Sequence, residues 1–152
     1  MFVLDSVAFL TRRHPQRELL TVPGVEPELV NRRSREYHAQ LAAAGLQVSV
    51  ADVAALEQVE TAAQETGDAG VLSPVDLELL ALALERKATL VTDDFAMQNV
   101  AATLDISWLP VETAGIVKQL RWRWTCGGCR QRWDEPHGEC PTCGSELRRT
   151  RR

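Results

Sequence analysis

The sequence predicts an α/β protein with a central parallel sheet covered by helices, followed by a small β module. Two observations predict this class. Through residues 1–115, short apolar runs alternate with helical patterns, which is typical of parallel strands joined by helices. In residues 116–152, four Cys lie in two close pairs beside a stretch that alternates apolar and basic residues. We therefore place one domain at 1–115 and a second module at 116–152.

Length and composition limit the class of protein. The chain has 152 residues, of which 45% are hydrophobic and 25% charged, as in ordinary globular proteins. This length accommodates one sizeable core and one small module. No stretch approaches the roughly 20 consecutive apolar residues of a membrane span. The first ten residues lack a basic segment and include Asp5, so we expect no signal peptide and a cytoplasmic location.

Charge is divided unevenly along the chain. Residues 1–118 carry nine Lys or Arg against seventeen Asp or Glu, a net charge of −8. Residues 119–152 carry eight Arg against four acids, a net charge of +4, and they also contain three of the four Trp. This asymmetry indicates an acidic body with a basic appendage that faces nucleic acid.

The body opens with two predicted strands. Phe2–Leu4 is a short apolar run that ends at Asp5, as expected of a buried strand. Leu19–Val22 is a second apolar run, and Pro23 stops it. Runs of this kind are typical of strands buried on both faces of a sheet.

The segment from Glu26 to Thr66 is predicted to form a helix, a strand and a second helix. The composition of Glu26–Ala44 favours a helix, which Gly45 would end as its C′ residue. Leu46–Val50 alternates apolar and polar residues and is predicted as a strand. A helical pattern follows from about Val53 to Thr66.

A strong helix start lies at Ser73, with Pro74 in the first helical position and Asp76 in the third. The helix that follows, to about Arg86, is apolar on nearly every side, so we expect it to be deeply buried. The body then ends with three more elements: a strand at Thr89–Val91, a helix at Phe95–Leu104 and a strand at Ile106–Leu109.

Several acids lie where these elements meet. Asp5, Asp93 and Asp94 follow predicted strands, whereas Asp76 and Glu28 lie in the first turns of predicted helices. Because the carboxyl ends of parallel strands form the ligand crevice of an α/β sheet, these carboxylates could converge there. Carboxylate oxygens suit Mg²⁺ or Mn²⁺, and acids without His suit metal-assisted phosphoryl chemistry.

Each acid also has a purely structural interpretation. Asp76 would complete a capping box at the start of its helix. The other three aspartates would each place a negative charge favourably near a helix N-terminus. Glu28 would be a solvated surface residue. Spacing alone leaves both interpretations open.

Together these segments resemble the acidic motifs of PIN-domain ribonucleases. The resemblance covers about residues 1–115 and rests on VLDSVAFL, TVPGVEPEL, LSPVDLELLALALE and LVTDDFAMQNVA. It implies a PIN-like three-layer α/β/α fold. The metal-binding acids of the family map onto Asp5, Glu28, Asp76 and Asp94, with Asp93 as a close neighbour in the catalytic set.

Residues beside these acids also match the family. Ser6 corresponds to the small polar residue often found after the first acid, and Thr92 to the Thr that precedes the last. Around Glu28 the match leaves Glu26 as an alternative for the remaining acid.

The four Cys, at Cys126, Cys129, Cys140 and Cys143, form the pattern C-x2-C-x10-C-x2-C. Two such pairs present four thiolates tetrahedrally and are typical of a structural zinc site with no open coordination position. Disulfides would need an oxidising compartment, which the lack of a signal peptide argues against. Without zinc, a module this small should unfold.

A basic strand precedes the first Cys pair. Leu120–Thr125 alternates with period two, which places Trp122 and Trp124 on one face and Arg121 and Arg123 on the other. The Trp side chains would fill the core of the module or dock it on the body, or an exposed one would stack on an unpaired base. We predict that the arginines of the module bind RNA phosphates: Arg121, Arg123, Arg130, Arg132, Arg148 and Arg149, with the last two in a basic C-terminal tail.

A PIN domain followed by a four-Cys zinc ribbon ending in CPTCGSELRR is similar to the archaeal Nin-one-binding (NOB) endoribonuclease family. The resemblance covers nearly the whole chain, although Arg130 replaces the Gly expected after the second Cys. It implies metal-dependent cleavage of single-stranded precursor rRNA at the 3′ end of small-subunit (16S) rRNA during ribosome biogenesis. It also implies Mn²⁺ or Mg²⁺ at the acids, structural Zn²⁺ at the cysteines, the pre-30S particle and a KH-type RNA-binding assembly factor as partners, and no membrane.

Two other functions stay open at this point. One is a toxin-like PIN ribonuclease that acts on other RNAs, although usual members of that group lack a zinc ribbon. The other is a non-catalytic rRNA-binding assembly factor, whose acids would only cap helices.

Overall fold

The structure, a computed structural model, describes residues 1–116, 122–135 and 137–151. These residues form eight strands and six helices. The strands are β1 (Phe2–Leu4), β2 (Leu19–Thr21), β3 (Gln47–Val48), β4 (Thr89–Val91), β5 (Trp108–Leu109), β6 (Trp122–Cys126), β7 (Arg132–Trp133) and β8 (Leu147–Arg151). The helices are α1 (Ser6–Thr11), α2 (Val25–Glu28), α3 (Arg32–Ala43), α4 (Val53–Thr66), α5 (Pro74–Arg86) and α6 (Phe95–Thr103).

Strands β1 to β5 form one parallel sheet in the order β3-β2-β1-β4-β5. In the centre, Phe2 of β1 is paired with Leu19 of β2 on one side and with Thr89 of β4 on the other. Val3 and Leu90 are completely buried. Such apolar strands are typical of a parallel sheet covered by helices on both faces. The three-layer α/β/α architecture is confirmed.

The strand order places a crevice at one edge of this sheet. The chain moves outward from β1 to β2 and β3, then returns to place β4 on the other side of β1. A reversal of this kind opens a crevice beyond the carboxyl ends of the two strands that flank it. Asp5 directly follows β1 and Thr92 directly follows β4, so both lie at this crevice.

The single helix predicted at Glu26–Ala44 is in fact two helices, α2 and α3, separated by three residues. Leu29 is buried with a ψ of 78°, outside the helical region. Asn31 then caps α3, since its Oδ1 accepts the backbone N–H of Ser34 at 2.8 Å. Burial of Leu29 and a new N-cap therefore break the helix, although the helical composition runs through both parts. α1 lies where the capping interpretation of Asp5 requires a helix, although no bounds were predicted for it.

Helix α5 begins as its capping box predicts. The Ser73 hydroxyl accepts the N–H of Asp76 at 3.1 Å, and the Asp76 carboxylate accepts the N–H of Ser73 at 2.8 Å. Leu79 and Leu80 are completely buried, as expected of a central helix. Within the described ranges, no helix combines the length and the apolar character needed to cross a membrane.

The remaining strands form an antiparallel sheet in the order β7-β6-β8. Trp124 is paired with Trp133, and Thr125 with Arg148. The arginine-rich end of the chain, predicted as a basic tail, is therefore folded as β8 as far as the structure describes it. Trp124 and Trp133 pack against the small buried core of this sheet, which consists of Cys126, Cys140 and Leu147.

Candidate active site and cysteine metal centre

Asp5 lies where β1 ends and α1 begins, and it is only 8% exposed. One carboxylate oxygen accepts hydrogen bonds from the N–H and the hydroxyl of Ser6, and the other accepts from Thr92 Oγ1 at 2.7 Å. Burial raises the pKa of Asp5, and the negative charge of Asp76 acts in the same direction, whereas the hydrogen bonds oppose it. The sheet thus holds a buried carboxylate in one orientation at its crevice.

Thr92 connects the ends of β1 and β4. It is fully buried, and its hydroxyl donates to Asp5 and accepts the backbone N–H of Asp94 at 3.0 Å. Gln98, also fully buried, donates from Nε2 to the Thr92 carbonyl at 3.0 Å. One hydroxyl therefore fixes the position of Asp5 relative to the start of α6.

Asp76 and Glu28 approach Asp5 from two other elements. Asp76 lies in the first turn of α5, where one of its oxygens already serves the capping box. Glu28 is the last residue of α2, and partial burial together with the charges of Asp76 and Asp5 raises the pKa of Glu28. Three carboxylates from three elements are therefore close enough to repel one another, although they are far apart in the sequence.

Asp94 is the N-cap of α6. Its Oδ1 accepts the N–H of Ala96 at 2.6 Å and that of Met97 at 3.0 Å. The capping interpretation and the site interpretation are both compatible with this geometry, because the cap uses one of the two carboxylate oxygens.

Asp93 has a different environment from its neighbour. Its carboxylate accepts hydrogen bonds from the N–H groups of Val111, Glu112 and Thr113 at 2.9 to 3.2 Å, and from the Thr113 hydroxyl at 2.9 Å. Burial acts in the opposite direction, but these donors hold the pKa of Asp93 below its usual value. The Asp93 carboxylate, on the segment between β4 and α6, is therefore occupied by the loop after β5.

The carboxylates that do converge form an open, acidic edge. The mutual repulsion of Asp5, Glu28 and Asp76 is what a divalent cation would neutralise, and carboxylate oxygens are the ligands that Mg²⁺ and Mn²⁺ prefer. Among residues 1–116, 122–135 and 137–151, only the cysteines bring three or more ligand atoms within 4.8 Å of one another. The acids therefore do not form a closed cage, and an open edge leaves room for water and a phosphate group.

The four cysteines form a compact metal-binding cluster. The Sγ atoms of Cys126 and Cys143 are 3.4 Å apart, and those of Cys129 and Cys140 are 3.6 Å apart. The N–H groups of Gly128 and Cys129 donate to Cys126 Sγ at 3.3 and 3.4 Å. None of the four is disulfide-bonded in this structure. This cluster can bind a metal ion.

The predicted RNA-binding arginines lie in different environments. Arg130, Arg132 and Arg148 are exposed, whereas Arg123 is half-buried. Arg121 lies outside the described residues.

Arg149 faces the α/β body. Its guanidinium forms an ion pair with the buried carboxylate of Asp68 and lies 4.5 Å from the ring centroid of Trp122. Asn99 donates to the other Asp68 oxygen at 2.6 Å. At Gly67, which has a φ of +79°, a Cβ would lie 2.9 Å from the Trp122 carbonyl oxygen. These contacts, which we call the docking contact, hold the small sheet against the loop after α4.

No sequence pattern identified the docking contact. Asp68 lies alone in a short loop, and its partner Arg149 is 81 residues away. Gly67 is the nearest sequence feature, but a glycine at this position is typical of any helix C-terminus and does not indicate a contact.

Comparison with known proteins identifies the family. The model for the PIN domain of ribonuclease matches residues 2–85, which include Asp5, Glu28 and Asp76. The chain belongs to the PIN-domain ribonuclease family. PIN nucleases use divalent metals, in agreement with the open acidic edge.

Relatives of this PIN ribonuclease extend the similarity across the C-terminal sheet. Endoribonuclease Nob1 of Pyrococcus abyssi is 38% identical over 96% of this chain and 91% of its own length. Endoribonuclease Nob1 of Archaeoglobus fulgidus is 36% identical over 95% of this chain and 87% of its own length. Ribonuclease VapC1 of Thermoplasma acidophilum is 34% identical over 98% of this chain and 77% of its own length.

These findings establish RNA cleavage as the class of activity. The matching family and all three relatives are ribonucleases by name, so this PIN ribonuclease is an RNA-cleaving nuclease, as predicted. The interpretation as a non-catalytic assembly factor does not hold.

Proposed function

We propose that this PIN ribonuclease hydrolyses single-stranded precursor rRNA at the 3′ end of small-subunit (16S) rRNA during ribosome biogenesis. The observation that carries the chemistry is the convergence of Asp5, Glu28 and Asp76 at the crevice, with Asp94 linked to them through Thr92. The choice of substrate is supported by the similarity to two proteins named endoribonuclease Nob1, which extends over almost the whole length of all three chains.

In this proposal, Asp5, Asp76 and Asp94 hold Mn²⁺ or Mg²⁺, and Glu28 assists. When bound, such a cation supplies Lewis-acid stabilisation of the charge on the phosphodiester. Thr92 and Ser6 orient the Asp5 carboxylate through their hydrogen bonds. Water adds to phosphorus and the P–O3′ bond breaks, leaving a 3′-hydroxyl and a 5′-phosphate. We assign Asp93 to support of the neighbouring loop.

We further propose that the cysteine cluster holds structural Zn²⁺. Tetrahedral zinc with Zn–S bonds of about 2.3 Å places its sulfur ligands about 3.8 Å apart. The observed separations of 3.4 and 3.6 Å are close to that value. Contacts with the side chain and backbone of Ser145 lower the pKa of Cys143 to about 6. The backbone N–H of Gln131 lowers the pKa of Cys129, but burial and the neighbouring sulfurs outweigh it and raise that pKa to about 12, so a bound metal must displace protons from the cluster.

The proposed partners follow from the substrate. They are precursor rRNA, the pre-30S particle and a KH-type RNA-binding assembly factor. We propose that the protein meets them in the cytoplasm. Exposed Arg130, Arg132 and Arg148, together with Arg121 and Arg123, would contact RNA phosphates. Arg149 is less available for this role because it already pairs with Asp68.

The test is a cleavage assay on an RNA that spans the mature 3′ end of small-subunit rRNA, with added Mn²⁺. The wild type should make a single cut at the mature end, and the Asp94→Asn protein should bind the RNA without cutting it. The matched control is Asp105→Asn, since Asp105 is exposed and has a φ of +55°, which Asn adopts readily. Wild-type cleavage by the Asp94→Asn protein would refute the active-site assignment.

A second candidate is a PIN ribonuclease that acts on other RNAs. It is favoured by the similarity to ribonuclease VapC1, which also extends through the cysteine module. A panel of unstructured RNAs separates the two candidates. Equal cleavage of all of them, with no preference for the ribosomal 3′ end, would favour this second function.

A further inference from the structure

The basic residues of the α/β body are concentrated in one part of it. Six of the nine Lys and Arg in residues 1–118 are arginines between positions 12 and 35, and they outnumber the four acids of residues 6–44. Residues 45–118, in contrast, carry twelve acids and three basic residues. The six arginines are Arg12, Arg13, Arg17, Arg32, Arg33 and Arg35, and all are exposed.

The fold gathers three of these arginines around one open cleft, although they come from two separate segments. Arg12 follows the end of α1, and its guanidinium donates to the carbonyl of Arg33 at 3.4 Å. Arg32 and Arg33 form the start of α3. The cleft between them has a volume of about 710 Å³, and its walls also include exposed Leu10. We call it the arginine cleft.

Two of these charges are unfavourable for the helix that carries them. The first turn of a helix favours negative charge, because its unpaired N–H groups give it a partial positive charge. α3 has two arginines and no acid in its first turn, whereas α5 has Asp76 in the same position. Residues that oppose local structure without an evident gain in stability commonly have a functional reason.

The local ion pair of Arg32 does not account for its position at the start of α3. Arg32 contacts Glu36 at 2.6 Å, but both side chains are at least half exposed. Exposed pairs of this kind are worth little, since water and salt screen them. A phosphate group can therefore replace Glu36 as the partner of Arg32 at little cost.

The arginine cleft adjoins the acidic crevice. Asp5 precedes α1 and Arg12 follows it, and the six residues between them correspond to about 9 Å of helix. Only three residues separate α2, which ends at Glu28, from α3, which begins at Arg32, and α1 packs against both helices. The acidic crevice and the arginine cleft therefore lie at the two ends of the short helix α1.

We infer that the arginine cleft binds the phosphate backbone of the RNA segment next to the scissile bond. This inference rests on the proposed RNA-cleaving site at the acidic crevice. It adds a second RNA-binding surface, on the catalytic body itself, to the one assigned to the cysteine module. The acidic edge repels RNA in the absence of a cation, and the cleft supplies the adjacent attraction that keeps the strand in place.

The test measures binding of a labelled, unstructured 20-nucleotide RNA by the full chain, across a range of KCl concentrations. All proteins carry Asp94→Asn so that the RNA stays intact. Arg32→Gln/Arg33→Gln should reduce the slope of log K against log salt by about 1.4, since each lost phosphate contact on a single strand contributes about 0.7. Removing positive charge from the first turn of α3 should leave the melting temperature unchanged or slightly higher.

The matched control is Arg86→Gln/Lys87→Gln, which removes two adjacent positive charges at the opposite edge of the sheet, before β4. It should leave the slope unchanged. Arg12→Asn is an independent variant of the cleft, because its φ of 57° suits Asn, and it should reduce the slope by about 0.7. In the active enzyme, the Arg32/Arg33 variant should raise KM by about tenfold with kcat nearly unchanged, as expected for lost ground-state binding.

Three outcomes would overturn the inference. An unchanged salt slope in both cleft variants would refute RNA binding by the arginine cleft. If the wild type still cleaves RNA, the proposed function is unaffected by that result. An equal reduction of the salt slope in the Arg32/Arg33 variant and in the Arg86/Lys87 control would show that net charge alone causes it. If the Asp94→Asn parent and the wild type both fail to bind any RNA, the proposed function fails first, and the inference fails with it.

Discussion

The two candidate metal sites of this PIN ribonuclease are built in opposite ways. The cysteine cluster takes its four ligands from an 18-residue stretch, and the antiparallel strands around it only have to close a short loop. The acidic crevice takes Asp5, Glu28 and Asp76 from three elements and, in our proposal, Asp94 from a fourth, so that its residues are spread over 90 positions of the chain. The first site is therefore a local property of the chain, whereas the second exists only when the sheet has formed. The following predictions test that difference, beginning with the largest effect.

Removal of metal should separate the two sites most clearly. Zinc contributes about 10–16 kcal/mol to the folding of small zinc modules. A Cys140→Ser substitution, or a strong chelator, should therefore unfold residues 122–151 and leave the α/β core folded, as followed by amide NMR signals. Glu139→Gln, which is exposed and next to Cys140 but outside the ligand set, is the control. Loss of the α/β signals together with those of the module would contradict the separation.

The docking contact should show the next largest effect. Arg149→Ala leaves the Asp68 carboxylate buried without its cation, which should cost about 3 kcal/mol of the interaction between module and body. The module should then move independently, which NMR relaxation can measure. Arg148→Ala, one residue away and exposed, should leave that motion unchanged and instead weaken RNA binding. Equal effects of the two variants would remove the distinction that we draw between them.

Thr92→Val tests whether the acidic crevice needs support from the sheet. It removes the hydroxyl that donates to Asp5 and accepts from the backbone of Asp94. Loss of such support typically lowers metal affinity or activity by about 10–100-fold. Thr21→Val is the matched control, since Thr21 is equally buried and its hydroxyl donates to the Leu4 carbonyl at 2.9 Å. A similar loss of cleavage in both variants would assign the effect to stability alone.

Glu28→Gln should have the smallest effect on stability. The pKa of Glu28 is raised in the folded protein, so its negative charge opposes folding above that pKa. In the presence of a chelator, Glu28→Gln should therefore raise the free energy of unfolding by at most about 0.5 kcal/mol, since the side chain is exposed and its charge is screened. The gain should disappear as the pH falls and Glu28 becomes protonated. Thermal denaturation measures it, and a similar gain in Glu26→Gln would show that the crevice charges are not its source.

The fold was largely predictable because its signals are short-range. The capping box of α5, the apolar runs of β1 and β4 and the Cys pairs are each visible within a few residues. The break between α2 and α3 was not, because the helical composition runs through it. Leu29 leaves the helix to enter the core, and only the packed structure specifies that core.

For the candidate site, the sequence indicated which acids to consider but not how they are used. Asp93 and Asp94 are adjacent and chemically identical, yet one holds a loop and the other caps α6 beside Asp5. Similarly, Arg148 and Arg149 read as one basic segment, but the alternation of β8 exposes the first and turns the second toward Asp68.

The sequence by itself determined the alternation of strands and helices, the four sulfur ligands and the set of candidate acids, since these depend on residue type and short spacing. Tertiary structure alone decided which acids meet, which arginine pairs with Asp68 and that Arg12 shares a cleft with Arg32 and Arg33. The physical reason is that charge interactions depend on distance and burial. Both are set by how β1, β4 and their helices pack, and no local pattern encodes them.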